Sequence, residues 1–228
     1  MMELDYSPLL ISLKTSLLAV IITACLGVAA ARLAMRSGKR VQWLLDVFFT
    51  FPLVLPPTVI GFLLLILFGR HSFPGKILAA LGTTVIFSWP ATVIASVVVS
   101  FPLMYRAAKG AFEQVDPHYI WAARTLGLTE TRIFFRILVP LAWPGLISGA
   151  ILAFARALGE FGATLMIAGN IPKVTQTIPL AIYFANAAGK DEIAIRWTGI
   201  ILIISLIVLG ILNYFSAREK DRTRGRRS

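Results

Sequence analysis

Residues 116–140 read DPHYIWAARTLGLTETRIFFRILVP. This is the longest interior stretch that a lipid bilayer would refuse. Asp116, Arg124, Glu130, Arg132 and Arg136 all fall in it, and one charge at the centre of a membrane helix costs about 2.5–3.5 kcal/mol. Apolar stretches long enough to span a bilayer flank it on both sides. The segment therefore reads as an aqueous loop between two spans, with order of its own. Asp116 is placed to cap a helix whose first residue is Pro117, where the fixed φ of proline is already helical. Tyr119, Ile120, Ala123 and Leu126 recur at helical spacing. Gly127 stands where helices commonly end in a left-handed turn. Thr129 is placed to cap a second helix, which runs through Ile133 and Phe134 into the membrane.

The rest of the chain agrees with a membrane setting. It has 228 residues, of which 57% are hydrophobic and 14% charged, with mean hydropathy +0.81. Soluble domains are about 45–50% apolar and 25% charged. The expected class is an all-α integral membrane protein. Cys25 is the single cysteine and lies in an apolar run, which excludes an intrachain disulfide framework or a cysteine metal site. His71 and His118 are far apart and lack ligand spacing, so no metal is expected. The net charge of +11 sits in loops beside the spans. That is the pattern of membrane topology rather than of nucleic-acid binding.

Five spans are expected, at about 9–34, 47–68, 84–105, 137–168 and 197–215, within one transmembrane domain over 1–217. The central loop is 106–136, and 218–228 is a basic tail expected to be disordered. No basic region precedes the first apolar run, so a cleaved signal peptide is not expected. Lys14 near the start of span 1 is expected to snorkel to the interface. Residues 70–83 read as a polar loop, and 178–188 as a surface or re-entrant helix. Pro52, Pro56 and Pro57 in span 2 forbid a straight helix. They are either a packing kink or irregular backbone beside a pathway. The fourth apolar stretch is 32 residues, about 48 Å at 1.5 Å each, against a hydrocarbon core of about 30 Å. It must bend, tilt or project, with Pro140, Pro144, Gly145 and Gly149 as candidate bend points. Fifteen Lys and Arg lie on the side of the central loop and tail, and five on the other. The basic side is expected to be cytoplasmic, which puts the N-terminus outside and the C-terminus inside.

The loop resembles that of the permease subunits of binding-protein-dependent ABC importers, whose pattern is E-A-A, three residues, G, nine residues, I-x-L-P. Ala122, Ala123, Gly127, Ile137 and Pro140 match. Trp121 stands in place of the glutamate and Val139 in place of the leucine. FPLVLPPTVIGFLLL, WAARTLG, ILAFARALGEFGATL and NIP…TIP sharpen the likeness to molybdate ABC importer permeases over most of the chain. The resemblance implies a type I ABC importer permease fold and a homodimer in lipid. It also implies two cytoplasmic ATPase subunits docked through 116–140 and an extracytoplasmic molybdate-binding protein. Sulfate and tungstate permeases are close relatives, and spacing and charge do not separate these oxyanions.

The chain itself has no G-x-x-x-x-G-K-[ST] loop, so it is expected to bind no cofactor. ATP and Mg would then be used by a separate ATPase. No arrangement for covalent catalysis is seen, and the chain is not expected to be an enzyme. Arg156 and Glu160 are four residues apart inside an apolar run and are expected to pair. They either neutralise each other or line the path of an anion. Ser88, Thr92, Ser96, Ser100 and Ser148 are candidate hydroxyl donors to an anion, or bond the helix backbone. A secondary transporter or channel without an ATPase is the competing class. It calls for an inverted repeat or a charged relay, and neither is present.

Overall fold

The computed structural model describes residues 5–224, the last ten of them by backbone alone. In chain order it comprises α1 (Ser7–Arg36), α2 (Lys39–Val54), α3 (Pro57–Phe68), α4 (Phe73–Ala80) and α5 (Trp89–Glu113). There follow α6 (Pro117–Thr125), α7 (Glu130–Ile133), a π-helical turn (Phe134–Leu138), α8 (Val139–Leu158), α9 (Gly162–Ala168), α10 (Ile178–Ala187) and α11 (Asp191–Arg224). Among the described residues, four helical stretches are long and apolar enough to cross a membrane: α1, α5, the run Glu130–Leu158, and Asp191–Tyr214. The pair α2 and α3, bent by 108°, is a fifth when the two are taken as one broken span.

The core is α1, α5 and α8. Lipid gives apolar side chains little reason to prefer one another, so close approach through small residues does the work. Ala30, Ala31, Ala34, Ala108 and Ala153 are buried at this junction, around Met104, Tyr105 and Phe112. A Cβ on Gly149 of α8 would lie 2.5 Å from that of Ala107 on α5. Hydroxyls add a polar seam between α1 and α5. The Thr15 and Thr92 hydroxyls are 3.1 Å apart, those of Thr23 and Ser100 3.2 Å, and Trp89 Nε1 donates to Thr15 at 3.0 Å. Such bonds between membrane helices contribute about 0.6 kcal/mol each on average. Ser12 accepts the first amide of α10, Ile178 N, at 2.8 Å and so ties the start of α1 to that helix.

Several sequence boundaries are corrected. The third span begins at Trp89 rather than 84 and runs on to Glu113 rather than 105. Arg106 and Lys109 are good helix formers and do not end it, and Lys109 Nζ pairs with Asp46 of α2 at 2.5 Å. The central loop therefore opens at Gln114 instead of 106. The segment read as a polar loop at 70–83 contains α4, which Ser72 caps by accepting Gly75 N at 2.9 Å. Lys14 places its ammonium 4.0 Å from the Trp89 ring centroid, a cation–π contact. The last span starts at Asp191 rather than 197 and α11 runs to Arg224, through the first part of the segment expected to be a disordered tail. Residues 1–4 and 225–228 lie outside the described residues.

The fourth stretch breaks at its far end, not at its prolines. α8 stops at Leu158 and α9 starts at Gly162, while Pro144 is carried inside α8. Pro140 is absorbed differently. It has no N–H to give and its ring crowds the preceding turn, and the chain answers with the π-helical turn just before it.

Candidate functional site

The loop is built much as its residues dictate. Asp116 accepts His118 N at 2.9 Å and caps α6, with Pro117 in the first turn. That amide, and then the His118 ring at 2.7 Å, hold the Asp116 carboxyl below its ordinary pKa. Gly127 has φ +75 and no atom within 4 Å of the place a methyl group would occupy, so backbone conformation alone calls for glycine there. Thr129 caps α7 through Arg132 N at 3.4 Å.

The apolar stripe is not simply buried, however. Ala123 faces its own chain at 3% exposure, and Leu128 N donates to its carbonyl at 3.1 Å. Ala122 points outward, beside Trp121 and Tyr119 at 55% and 46% exposure, and Leu126 is at 80%. The two alanines thus divide their roles: one lets the loop close on itself and the other faces outward. Trp121 packs edge-on against the His118 ring, centroids 5.1 Å apart. Arg124 Nε donates to Glu130 at 2.7 Å, a bond that holds the guanidinium above its ordinary pKa. Ile137 lies in the π-helical turn and Pro140 in the first turn of α8.

A second region gathers the other candidates. Arg156 Nη1 donates to Glu160 Oε2 at 2.8 Å, as the four-residue spacing leads one to expect. Glu160 is 1% exposed and Arg156 30%. Glu160 has a further partner that the spacing does not reveal: its Oε1 accepts Ala163 N at 2.8 Å and supplies the opening turn of α9. Of the three prolines, Pro52 stays inside α2, while Pro56 and Pro57 make the 108° break. The two breaks meet. A Cβ on Gly162 would lie 3.2 Å from Pro57 Cβ, and one on Gly61 only 2.7 Å from the Ala163 backbone. The proline break and the Arg156–Glu160 pair therefore form one region. It is remote from the loop, since Arg156 lies roughly 24 Å along α8 from Pro140 at 1.5 Å per residue.

Most of the hydroxyl candidates are committed to other work. Thr92 donates to Trp89 O at 2.6 Å and Ser100 to Ser96 O at 2.7 Å. Ser88 bonds Val85 O. Ser148 Oγ alone of the five is buried without a partner among the described residues. Asp46 is the residue that the sequence reading misses. Its carboxylate accepts from Lys109 Nζ and from the hydroxyl of Tyr105, and so pins α2 to α5. α2 has no buried residue of its own. Among the described residues, no three His, Cys, Asp or Glu are placed to hold a metal ion.

Interrupted helices packed on each other, a small-residue bundle, and a separate short helix between spans are the architecture of a multi-pass membrane protein. Residues 23–221 match the family described as binding-protein-dependent transport system inner membrane component. The chain belongs to that family and is a multi-pass inner-membrane protein, a transporter subunit that is not itself catalytic. It is 46% identical over 205 residues to the putative molybdenum transport system permease protein YvgM of Bacillus subtilis, covering 90% of each chain. It is 43% identical over 220 residues to the molybdenum transport system permease protein ModB of Escherichia coli K12, covering 96% of each. Among solved structures, a chain of the MetNI methionine ABC transporter in an inward-facing conformation superposes with TM-score 0.68 at 17% identity, covering 93% of this chain and 96% of that one. The fold is thus that of type I ABC importer permeases. The ATPase-independent transporter class is set aside by the family match.

Proposed function

We propose that this chain is the permease subunit of an ATP-driven importer of molybdate. It works as a homodimer in lipid with two cytoplasmic ATPase subunits and an extracytoplasmic molybdate-binding protein. The observation that carries the reading is the identity to molybdenum permeases across nearly the whole chain. In this assembly the basic ends of the spans, with α6, face the cytoplasm and the N-terminus faces outward, as the bias of Lys and Arg favours. ATP and Mg are used by the partner.

The residues divide into two tasks. Trp121 and Ala122 present an exposed apolar surface on a short helix, with Tyr119 and Leu126 exposed beside Ala122, the kind of surface that enters a groove on a partner. Ala123 and Gly127 keep the loop compact enough to hold that helix in place. Ile137 and Pro140 join the loop to α8, so a displacement of α6 is passed into a long packed helix. At the far end of α8, the region of Glu160, Pro57 and Gly61 contains irregular backbone, which membrane proteins tolerate where it is covered by protein or lines a cavity. That region is the proposed pathway element, with Arg156 as the cation nearest to it.

Tungstate and sulfate are the competing cargoes, since all three are divalent tetrahedral oxyanions. The test is uptake of labelled molybdate by the complex reconstituted in liposomes, with tungstate and sulfate as competitors. ATP- and receptor-dependent uptake that excess sulfate does not inhibit supports the reading. Uptake of sulfate in preference to molybdate overturns the cargo.

A further inference from the structure

We infer that Glu130 is a positioning residue for coupling: it fixes the angle at which α6 is offered to the ATPase, by tying that helix to the basic end of α1. The inference rests on the coupling role proposed above for α6 and adds the element against which α6 is braced.

Three observations carry it. The first is how little else holds α6. Its side chains Tyr119 and Trp121, and Leu126 at its end, are exposed, Ile120 is half-buried, and Ala123 is its one buried residue. A nine-residue helix with one buried methyl and one half-buried isoleucine is only weakly held in orientation by packing, because isolated short helices are marginal. The second is the geometry of the Glu130 carboxylate. Arg124 of α6 meets it with both arms of its fork, Nε to Oε1 at 2.7 Å and Nη2 to Oε2 at 3.3 Å. A two-point contact between planar groups sets an angle as well as a distance. The third is what lies on the other side of the same carboxylate. Arg36, in the last turn of α1, brings Nη2 to 3.8 Å from Oε2. One turn earlier Arg32 lays its guanidinium 4.1 Å from the Phe134 ring centroid, just past α7. The end of α1 thus grips the loop at two places, and Glu130 is the carboxylate shared by α1 and α6.

Position 121 gives the arrangement a reason. The loop pattern that this chain resembles has a glutamate there, and this chain has tryptophan. Glu130 is the acidic side chain that Arg124 meets. Removing its charge would leave Arg124, Arg36 and Arg32 close together without it. The groups are half exposed, so solvent limits the effect. An exposed ion pair corresponds to about a 1.4- to 5-fold change in an equilibrium, and the shared geometry puts this one at the upper end.

The experiment uses the whole complex of permease, ATPase and receptor, with molybdate as the ligand. Membrane level and receptor-stimulated ATP hydrolysis are measured for Glu130→Gln, Arg124→Gln and the reversed set Arg36→Glu with Arg124→Glu and Glu130→Arg. Both single variants are expected at wild-type membrane level with stimulation reduced about two- to fivefold. The reversed set is expected to return to within about twofold of wild type, because the same bridge re-forms with opposite signs. Normal stimulation in Glu130→Gln overturns the inference, and so does a reversed set no better than the single variants. Trp121→Ala separates the brace from the coupling role it serves. If it is defective while Glu130→Gln is normal, only the brace is wrong. If both are normal, the coupling role of α6 itself fails.

Discussion

Glu160 Oε1 accepts the backbone amide of Ala163 at 2.8 Å while its other oxygen holds Arg156 at 2.8 Å. One buried carboxylate therefore balances a cation and starts the next helix. An exchange of the two residues, Arg156→Glu with Glu160→Arg, keeps the charges but puts a donor-only group where Ala163 needs an acceptor. The exchanged protein is expected to be about as unstable as Glu160→Ala. Each should lose about 3–5 kcal/mol, the usual cost of breaking a buried ionic arrangement. Glu160→Gln keeps one acceptor and should lose less. Thermal unfolding in detergent, followed by size-exclusion, ranks the three. An exchange that restores wild-type stability would mean that charge balance is all the pair does.

The contact between α3 and α9 depends on Gly61. A Cβ there meets the Cα and the carbonyl oxygen of Ala163 at 2.7 Å, and backbone cannot rotate away as a side chain can. Gly61→Ala is expected to cost about 1–3 kcal/mol, and Gly61→Val more. Gly199, which has nothing within 4 Å of the same position, is the control: Gly199→Ala should be neutral or slightly stabilising. Equal behaviour of Gly61→Ala and Gly199→Ala in the same unfolding assay would refute the close approach.

The clamp of α2 on α5 predicts an effect for a residue outside both candidate regions. Asp46→Asn removes a charged acceptor shared by Lys109 and Tyr105. The expected cost is about 1.5–3 kcal/mol, in the range for hydrogen bonds to charged groups. Tyr105→Phe loses one donor and should cost about 1 kcal/mol. Because both act on one carboxylate, the double variant should cost less than the two single costs combined. Strict additivity in a double-mutant cycle would contradict the shared site.

Much of this was legible in the sequence because the signals are local. The cap at Asp116, the turn at Gly127 and the cap at Thr129 each need only a few neighbouring residues, and each forms as read. The Arg156–Glu160 pair follows from helical spacing alone. Ala163 as a third party could not be read, because it requires knowing that α8 stops at Leu158. Proline and glycine marked the wrong end of that stretch: Pro140 and Pro144 are tolerated, and the break falls where a buried acid can cap the next helix. Asp46 did carry a signal, since it is the one acid in the apolar run from Val41 to Phe51. Starting the span at 47 leaves it one residue outside. Its partner is 63 positions away, and no local rule connects them. The meeting of Pro57 with Gly162 is tertiary in the same sense.

The exposed face of α6 makes a prediction of a different kind, about binding rather than stability. Trp121 is 55% exposed, so Trp121→Ala should leave unfolding nearly unchanged. As a large aromatic at a proposed interface it should weaken co-purification of the ATPase by an amount typical of a hot spot, about 2 kcal/mol or more. Trp121→Phe should be tolerated. Ala122→Phe should crowd the same contact, whereas Ala123→Phe should first disturb the loop, since Ala123 is buried in its own chain. Quantitative co-purification beside membrane level distinguishes these cases.

The central claim is that this chain turns ATP hydrolysis on a partner into passage of molybdate, through α6. It is tested most directly by measuring ATP hydrolysis and labelled molybdate uptake together, in one preparation of liposomes holding the full complex, with wild type and Trp121→Ala in parallel. Wild type is predicted to couple the two, with both rising when molybdate-loaded receptor is added. In Trp121→Ala both should lose that response while the permease stays intact in the membrane. Undiminished receptor-stimulated hydrolysis and uptake in Trp121→Ala, or molybdate uptake by wild type without ATP, would contradict it.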